Sequence, residues 1–397
     1  MPVGEQIEVG VVGAGARSRL ALNALDSSVP ARIAAVADTT EEGRARAAQI
    51  FGPEASVVPD VGSLIAQGID AAFVTTPDFT HAAIASQLLR AGVAVYLEKP
   101  LAITVEGADE VLRAAYESGS RLYVGHNMRH MPVVRLMRRL IQSGEIGEVK
   151  AVWCRHFVGN GGDYYFKDWH AERAKTTGLL LQKGAHDIDV IHWLADGYSV
   201  DVTGMGDLTV YGAIQDRADN TGHVMQDWFS YDNWPPASQT GLNPVIDVED
   251  ISMVSLRLDN GVLASYEQCH FTPDYWRNYT VIGTEGRLEN FGDSAGGTVR
   301  VWNRRTSYNE SGDESYPIPE GEGGHNGADA LTVAEFLRFV SDGGATDTSP
   351  VAARNAVAAG VAATESLRNG SMPRRVPPLA PELLDYFAHH QQRRGVA

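Results

Sequence analysis

Cysteine, excess positive charge and long apolar runs are all scarce in this sequence, and each shortage closes off a class of protein. Only Cys154 and Cys269 occur, far apart in the chain. Neither a disulfide framework nor a cysteine zinc site is therefore expected, and a reducing compartment fits. Acidic residues outnumber basic ones by 50 to 33, giving a net charge of −17. Nucleic acid and anionic membranes need a basic footprint, so neither is an expected partner. No apolar stretch approaches the length of a membrane span. Met1-Pro2-Val3-Gly4-Glu5 holds no basic segment leading into an apolar one, so no secretion signal is read and a cytoplasmic location is expected. No repeat or low-complexity tract is visible. What is present, 44% apolar and 21% charged residues over 397 positions, is the composition of a soluble globular chain with room for two domains.

The first ~125 residues alternate strand and helix patterns, the sign of a parallel sheet with crossover helices. Strands are expected at Ile7–Val12, Ile33–Ala37, Ala71–Thr75, Val93–Leu97 and Leu122–Val124. Helices are expected at Ser18–Leu25, Glu41–Phe51, Thr80–Ala91 and Val105–Ser118. After His126-Asn127 the rhythm changes. Helices over Val133–Gln142 and Gly184–Leu194 and a strand over Val149–Phe157 are followed by hairpin signals, above all Asp259-Asn260-Gly261 between Ser252–Leu258 and Val262–Gln268. Strands at Tyr279–Ile282 and Val299–Trp302 and helices at Asp329–Val340 and Pro350–Arg368 complete the second half. It reads as α+β with a mostly antiparallel sheet, whose open face is positioned to cover the edge of the first sheet. Residues 207–249, rich in Gly, Asp, Asn and Pro, read as a long excursion, functional or mobile. The expected division is residues 1–128, 129–375 and a C-terminal helix or tail over 376–397.

Gly13-Ala14-Gly15-Ala16-Arg17-Ser18 follows the first strand and opens the first helix, the context a dinucleotide-binding turn requires. Gly13 permits the tight turn and Gly15 a close approach of backbone to pyrophosphate; Ser18 stands at the third glycine position. Arg17 is placed to add a charged phosphate contact. Asp38 ends the second strand, where a carboxylate accepts hydrogen bonds from ribose and repels a 2′-phosphate, favouring NAD. Arg44 and Arg46 keep that preference moderate, so NADP stays open. Thr75-Thr76-Pro77-Asp78 ends another strand and His81 opens its helix. These residues either flank the cofactor or form an ordinary strand-to-helix cap. With Ala16, Glu98, Lys99 and Asn127, they make up the expected cofactor contacts.

Glu98-Lys99-Pro100 ends the Val93–Leu97 run and puts an ammonium at the sheet rim where open α/β folds bind ligands. A partly desolvated lysine there can take a hydroxyl proton or polarise a carbonyl. Further on, Gln182, His186, Asp189 and Trp193 follow a spacing that shares one helix face, a polar stripe suited to lining a cavity. Lys183 is a second cation available to substrate or cofactor. Tyr165, Trp169 and His170 lie in a stretch mixing aromatic rings with carboxylates, which suits sugar hydroxyls and C–H faces and equally an interface loop. His325, within Gly323-Gly324-His325-Asn326, is a weaker candidate of the same kind. His170, His186 and His192 form no convincing zinc set, so no metal is expected.

Gly13 and Gly15, Asp38, Thr76-Pro77-Asp78 with His81, Glu98-Lys99-Pro100, Ser143-Gly144-Glu145-Ile146-Gly147 and His186-Asp187-Ile188-Asp189, in that order, resemble the Gfo/Idh/MocA family of nicotinamide-dependent oxidoreductases. The resemblance runs from about residue 7 to 375. It implies a Rossmann domain followed by an α+β domain with a large, open-faced, mostly antiparallel sheet, through which a homodimer or homotetramer would form. It implies reversible NAD-dependent oxidation of a secondary alcohol on a sugar, glycoside or cyclitol. Lys99 and His186 would then handle the hydroxyl proton, with Asp189 orienting His186 or binding substrate. Inositol dehydrogenases of the family carry an aspartate four residues before the histidine; here Gln182 stands there and cannot exchange protons, which shifts the task toward Lys99 and His186. Two other outcomes occur within such a family: glycoside cleavage through transient C3 oxidation and elimination, and a non-catalytic regulatory protein that senses the dinucleotide.

Overall fold

The computed structural model describes residues 6–321 and 323–392. Six short apolar runs form a parallel sheet: β1 (Ile7–Val12), β2 (Ala31–Ala37), β3 (Ser56–Val58), β4 (Ala71–Val74), β5 (Ala94–Leu97) and β6 (Leu122–Val124). Their order, β3-β2-β1-β4-β5-β6, is that of a dinucleotide-binding sheet, reversing between β1 and β4. Both faces are buried, which is why these strands read as continuous apolar runs. The connecting helices are α1 (Glu41–Phe51), α2 (Val61–Ile65), α3 (His81–Arg90) and α4 (Val105–Ser118). Thr40, Asp60 and Thr104 cap α1, α2 and α4 with side-chain oxygens that accept a first-turn amide.

The connection after β1 differs from the expected α-helix: residues Ala16–Ala24 form a 3-10 helix. Local side chains favour the tighter winding. The Ser18 amide and hydroxyl both donate to Gly15 O (3.1 and 2.7 Å), and Asn23 donates to Leu20 O (2.8 Å), all three residues back.

The second sheet has nine strands: β7 (Val149–Phe157), β8 (Ser199–Asp207), β9 (Ile251–Leu258), β10 (Leu263–Cys269), β11 (Trp276–Gly283), β12 (Arg287–Phe291), β13 (Thr298–Trp302), β14 (Glu314–Pro317) and β15 (Arg374–Arg375). Their order is β14-β13-β12-β11-β7-β10-β9-β8-β15, antiparallel throughout except for the β7–β10 pair. Asn260-Gly261 turns the β9–β10 hairpin, with Gly261 at φ +85, and Asn260 donates to Ala195 O at 2.8 Å. The remaining helices are α5 (Pro132–Gln142), α6 (Gly161–Tyr165), α7 (Arg173–Thr176), α8 (Leu179–Gln182), α9 (Gly184–Ala195), α10 (Ala328–Asp342), α11 (Pro350–Arg368) and α12 (Pro381–Ala388).

One face of the large sheet packs on α5, α9 and α11 through Val152, Cys154, Val254, Tyr266, Met137, Ile188, Ile191, Ala359 and Ala363. The expectation that the other face covers the edge of the first sheet is overturned. That face carries Trp153, Met205, Met253 and Leu263, all about half exposed, so it lies against solvent in a single chain. Helices cover the first sheet instead. Val333, Phe336, Leu337 and Val340 of α10 pack with Val9, Val11, Phe73 and Tyr96. On the opposite face, Val351, Ala353 and Val357 of α11 and Leu383, Tyr386 and Phe387 of α12 join the cluster of Val12, Val74, Val95 and Leu97. Small residues let α11 sit close to its neighbours, since a Cβ at Gly204 would meet Ala363 O at 2.6 Å.

The 207–249 excursion is packed and hydrogen-bonded. Asp250 accepts from the amides of Thr209, Val210 and Tyr211 and from the Thr209 hydroxyl, at 2.7–2.9 Å. Tyr211, Leu242 and Val248 enclose a small core with Val158, Tyr165, Phe166 and Leu179. Phe166 and Tyr211 stack with ring centroids 4.3 Å apart. Asp250→Ala should leave the amides at the root of the excursion unpaired, at a cost of about 1–3 kcal/mol. Limited proteolysis should then cut first within residues 207–249.

Candidate active site

Because β1, β2, β4, β5 and β6 are parallel, the residues after each strand meet at one edge, and hydrogen bonds extend the ladder past the strand ends. Gly13 N donates to Ala37 O (2.9 Å), Thr75 N to Val12 O (2.9 Å), Glu98 N to Val74 O (3.1 Å) and Gly125 N to Leu97 O (2.8 Å). Gly13 has φ +88, and a Cβ there would meet Thr76 Cγ2 at 2.8 Å. A Cβ at Gly15 would meet nothing within 4 Å, so the turn faces open space on the side a pyrophosphate would approach. Thr75 Oγ1 donates to the carbonyls of Val12 and Gly13. Asp38 accepts from Ala14 N at 2.9 Å and from the Thr40 amide and hydroxyl, so its carboxylate lies directly against the glycine turn. Arg44 and Arg46 donate to Asp38 O and Ala14 O. These residues fit a dinucleotide: an open glycine cradle with a carboxylate at its ribose end.

Arg17 is turned inward. Its guanidinium donates to Glu98 at 2.6 Å and, through two nitrogens, to Asp329 at 2.7 and 2.8 Å. Asp329, in the first turn of α10, also accepts from Asn127 Nδ2 (2.9 Å) and lies 3.0 Å from His325 Nδ1. Burial pushes its carboxyl upward, but His325 and Arg17 more than offset this and hold it well below the usual range. His325, expected near substrate, is thus placed with the Arg17 cluster. Asp329 was not anticipated from sequence; it is separated from Arg17 by 312 positions, and no local pattern joins them.

The Lys99–Pro100 bond is cis. His81 braces this turn against the preceding loop, with Nδ1 2.7 Å from Pro100 O and Nε2 2.9 Å from Thr76 O. Lys99 Nζ donates to Gln182 O at 3.1 Å, which brings it to the end of α8. Burial lowers the Lys99 pKa from the ordinary lysine range, with Asp78 and Glu98 partly offsetting it. Burial likewise raises Asp78, opposed by His81 and Lys99.

The polar stripe read over Gln182–Trp193 is divided in the structure, because Gln182 closes α8 and Lys183 caps α9. His186 lies near Lys99 and Lys183. Burial, then those two ammonium groups, push its pKa well below the ordinary value, so its imidazole is neutral near pH 7. Asp189 is engaged elsewhere, by Arg129 through two contacts of 2.7 Å, and among the described residues no hydrogen bond joins it to His186. Trp193 stacks on Arg129 and Arg138. Tyr165, Trp169 and His170 form one aromatic wall, with His170 stacked on Trp169 at 3.7 Å and edge-on to Tyr165 at 5.6 Å.

Behind His186, Asp187 is fully buried. It lies 2.7 Å from Arg277 Nε, accepts from His156 Nδ1 and the Tyr266 hydroxyl (both 3.0 Å), and accepts from the Tyr279 hydroxyl. Burial raises its carboxyl, yet Arg277 and His156 hold it well below the usual carboxylate range. Several nearly buried polar atoms around the cavity have no hydrogen-bond partner in the protein: Gln182 Oε1, His186 Nδ1, His126 Nε2 and both ring nitrogens of His270. Buried polar atoms left open in this way need water or a ligand to complete their hydrogen bonding.

Two family models match consecutive parts of the chain: the oxidoreductase family with an NAD-binding Rossmann fold over residues 7–126, and the GFO/IDH/MocA C-terminal domain over residues 134–289. The chain belongs to the Gfo/Idh/MocA family. Putative oxidoreductase YteT of Bacillus subtilis is 27% identical over 312 residues, 68% of this chain and 72% of its own length. The inositol 2-dehydrogenase/D-chiro-inositol 3-dehydrogenase of Halalkalibacterium halodurans is 32% identical over 193 residues, 48% of this chain; the match spans about half that relative's length, 53%. Levoglucosan dehydrogenase in complex with NADH and levoglucosan superposes with a TM-score of 0.77 at 20% identity, over 94% of this chain and all of that one, a likeness of fold.

In this Gfo/Idh/MocA chain the support behind the cavity is testable apart from chemistry. Asp187→Ala would strand the Arg277 guanidinium, and loss of one partner of a buried pair costs about 3–5 kcal/mol. Chemical denaturation should show that loss.

Proposed function

We propose that the protein is an NAD-dependent dehydrogenase that reversibly oxidises a secondary alcohol on a sugar, glycoside or cyclitol. The observation that carries this reading is the approach of Lys99, from the rim of the parallel sheet, to His186, from α9, among buried polar atoms that no protein group partners. The aromatic wall of Tyr165 and Trp169 supplies a face for sugar C–H groups, and Gln182, Lys183 and His170 supply polar contacts.

The nicotinamide, when bound, supplies the hydride acceptor. Gly13, Gly15 and Ala16 would hold its pyrophosphate side, and Asp38 its ribose, where the carboxylate disfavours a 2′-phosphate and supports NAD over NADP. The protein residues manage the proton. A neutral His186 accepts it from the reacting hydroxyl, and Lys99, whose ammonium is weakened by burial, holds the oxygen as it becomes a carbonyl. Gln182 contributes a carbonyl to Lys99 and an amide to the cavity, with no titrating step. Asp189 fixes α9 through Arg129.

Purified protein should reduce NAD faster than NADP with a member of a panel of monosaccharides, anhydrosugars, glycosides and inositols, read by near-UV absorbance. Lys99→Ala should lower kcat by about 10²- to 10⁴-fold while NAD still binds. Unchanged turnover in that variant would remove Lys99 from the mechanism. Release of an aglycone without accumulation of NADH would instead indicate elimination.

The exposed sheet face, with Trp153, Met205, Met253 and Leu263 on neighbouring strands, is proposed to pair with a second copy of the chain. Trp153→Asp with Met253→Asp should shift the sedimenting species to monomer. A wild-type protein that is already monomeric would overturn the assignment.

A further inference from the structure

The cations around the cavity are unequally matched. Arg277 is paired with Asp187, Arg129 with Asp189, and Arg17 with Glu98 and Asp329. Lys99 donates to Gln182 O. Lys183 differs: among the described residues no carboxylate lies within ion-pair distance of it and no acceptor takes its hydrogens. Its contact is the Tyr165 ring, whose centroid is 5.8 Å from Nζ. Lys183 is only partly buried, so its ammonium has no counter-charge from the protein and stays open to one from a ligand. Near it stand the two ring nitrogens of His270, nearly buried and unpartnered. Lys183 is itself the cap residue of α9, so the positive end of that helix points the same way.

These features describe a receptor for negative charge within the substrate cavity. A single ammonium beside imidazoles suits a monoanionic carboxylate; phosphate is served better by arginine forks or a nest of amides, and the arginine here is committed to Asp187. Lys183 and His186 are three residues apart at the start of α9, about 5–6 Å between side-chain roots. That separation matches the width of a sugar ring, so one end of a substrate can rest on Lys183 while a hydroxyl at the other end faces His186.

We propose that the substrate is a sugar acid, whose carboxylate is held by Lys183 while its reacting hydroxyl lies between Lys99 and His186. This rests on the dehydrogenase reading above and names its substrate class. The groups facing Lys183 are Lys99 from the turn after β5, Arg277 from β11, Asp187 and His186 from α9, His270 after β10, Asp293 after β12 and Tyr165 from α6. Burial, then Arg277 and Lys99, lower the Lys183 pKa to about 7 in the free protein. Only the protonated amine pairs with a carboxylate, so recognition is strongest below pH 7 and fades as the pH rises through that value.

The test uses the full-length protein with NAD and a set of hexuronates, each beside its uronamide and its 6-phosphate aldose. In the wild type near pH 6.5, kcat/KM for a carboxylate should exceed that for its amide by about 10- to 100-fold, the worth of a hydrogen bond to a charged group. Between about pH 6 and pH 8 that advantage should shrink through KM. Lys183→Met should bring the carboxylate-to-amide ratio near one. Lys183→Arg should keep the ratio and remove its pH dependence, an outcome a merely structural lysine would not give. Equal turnover of amide and carboxylate, preference for the phosphate, or an unchanged ratio in Lys183→Met would overturn the proposal while leaving the dehydrogenase reading intact. If no sugar is oxidised although NAD binds, the dehydrogenase reading fails instead. Calorimetric titration of the NADH-loaded protein with uronate and uronamide then decides the carboxylate preference directly.

Discussion

The buried ion pair between Asp187 and Arg277 is the constraint on which the substrate side of the molecule depends. Asp187 is adjacent to His186, and its carboxylate is gripped from the sheet by Arg277 and Tyr279 of β11, His156 of β7 and Tyr266 of β10. Four side chains from three strands therefore fix the rotation of α9 about its own axis. With Asp187 held toward the sheet, His186 is set about 100° round the helix from that anchor and Lys183 lies one turn before Asp187 on nearly the same face. A charge pair of this kind contributes little net stability compared with an apolar filling. Its effect is on geometry: it excludes the rotated packings of α9 that a purely apolar contact surface would tolerate.

On the dinucleotide side the corresponding device is the Arg17 cluster. One guanidinium joins the turn after β1 to Glu98 after β5 and to Asp329 at the start of α10. His81 performs a similar task between two neighbouring loops, using both ring nitrogens on backbone carbonyls. The rim is therefore held by cross-links among its own loops. Gly15 stays unobstructed and Lys99 stays near Gln182.

Much of the first half was legible in the sequence because its physics is local. Both faces of the parallel sheet are buried, so β1, α1, α4 and β6 stand out as apolar runs or amphipathic stretches, and Ile7–Val12, Glu41–Phe51 and Val105–Ser118 have the expected limits. The α11 helix, announced by Ser349-Pro350 and rich in alanine, was equally legible. β8, β12 and β14 were not expected, since half their positions face solvent and glycines interrupt β8. The break between α8 and α9 was hidden by an unbroken helical spacing across it. Asp329 and the pairing of Arg277 with Asp187 were hidden for another reason: their meaning comes from partners on distant segments. The open face of the large sheet was foreseen, but its orientation was not, because alternation shows that a strand has two faces without saying which neighbour each one meets.

Part of the helical cover of the first sheet, α10 to α12, comes late in the sequence, and this has a consequence for how the molecule comes into being. On the ribosome, β1 to β6 emerge well before α10, α11 and α12, so both faces of that sheet begin life without their final cover. Until residues 328–388 are made, Phe73, Tyr96 and Tyr123 lack the Phe336 ring they pack against, and Arg17 lacks Asp329. The Arg17 cluster at the dinucleotide rim is therefore completed only when α10 packs against the first sheet. Until then the helices α1 to α4 shield that sheet in part, which leaves apolar surface open to premature contacts.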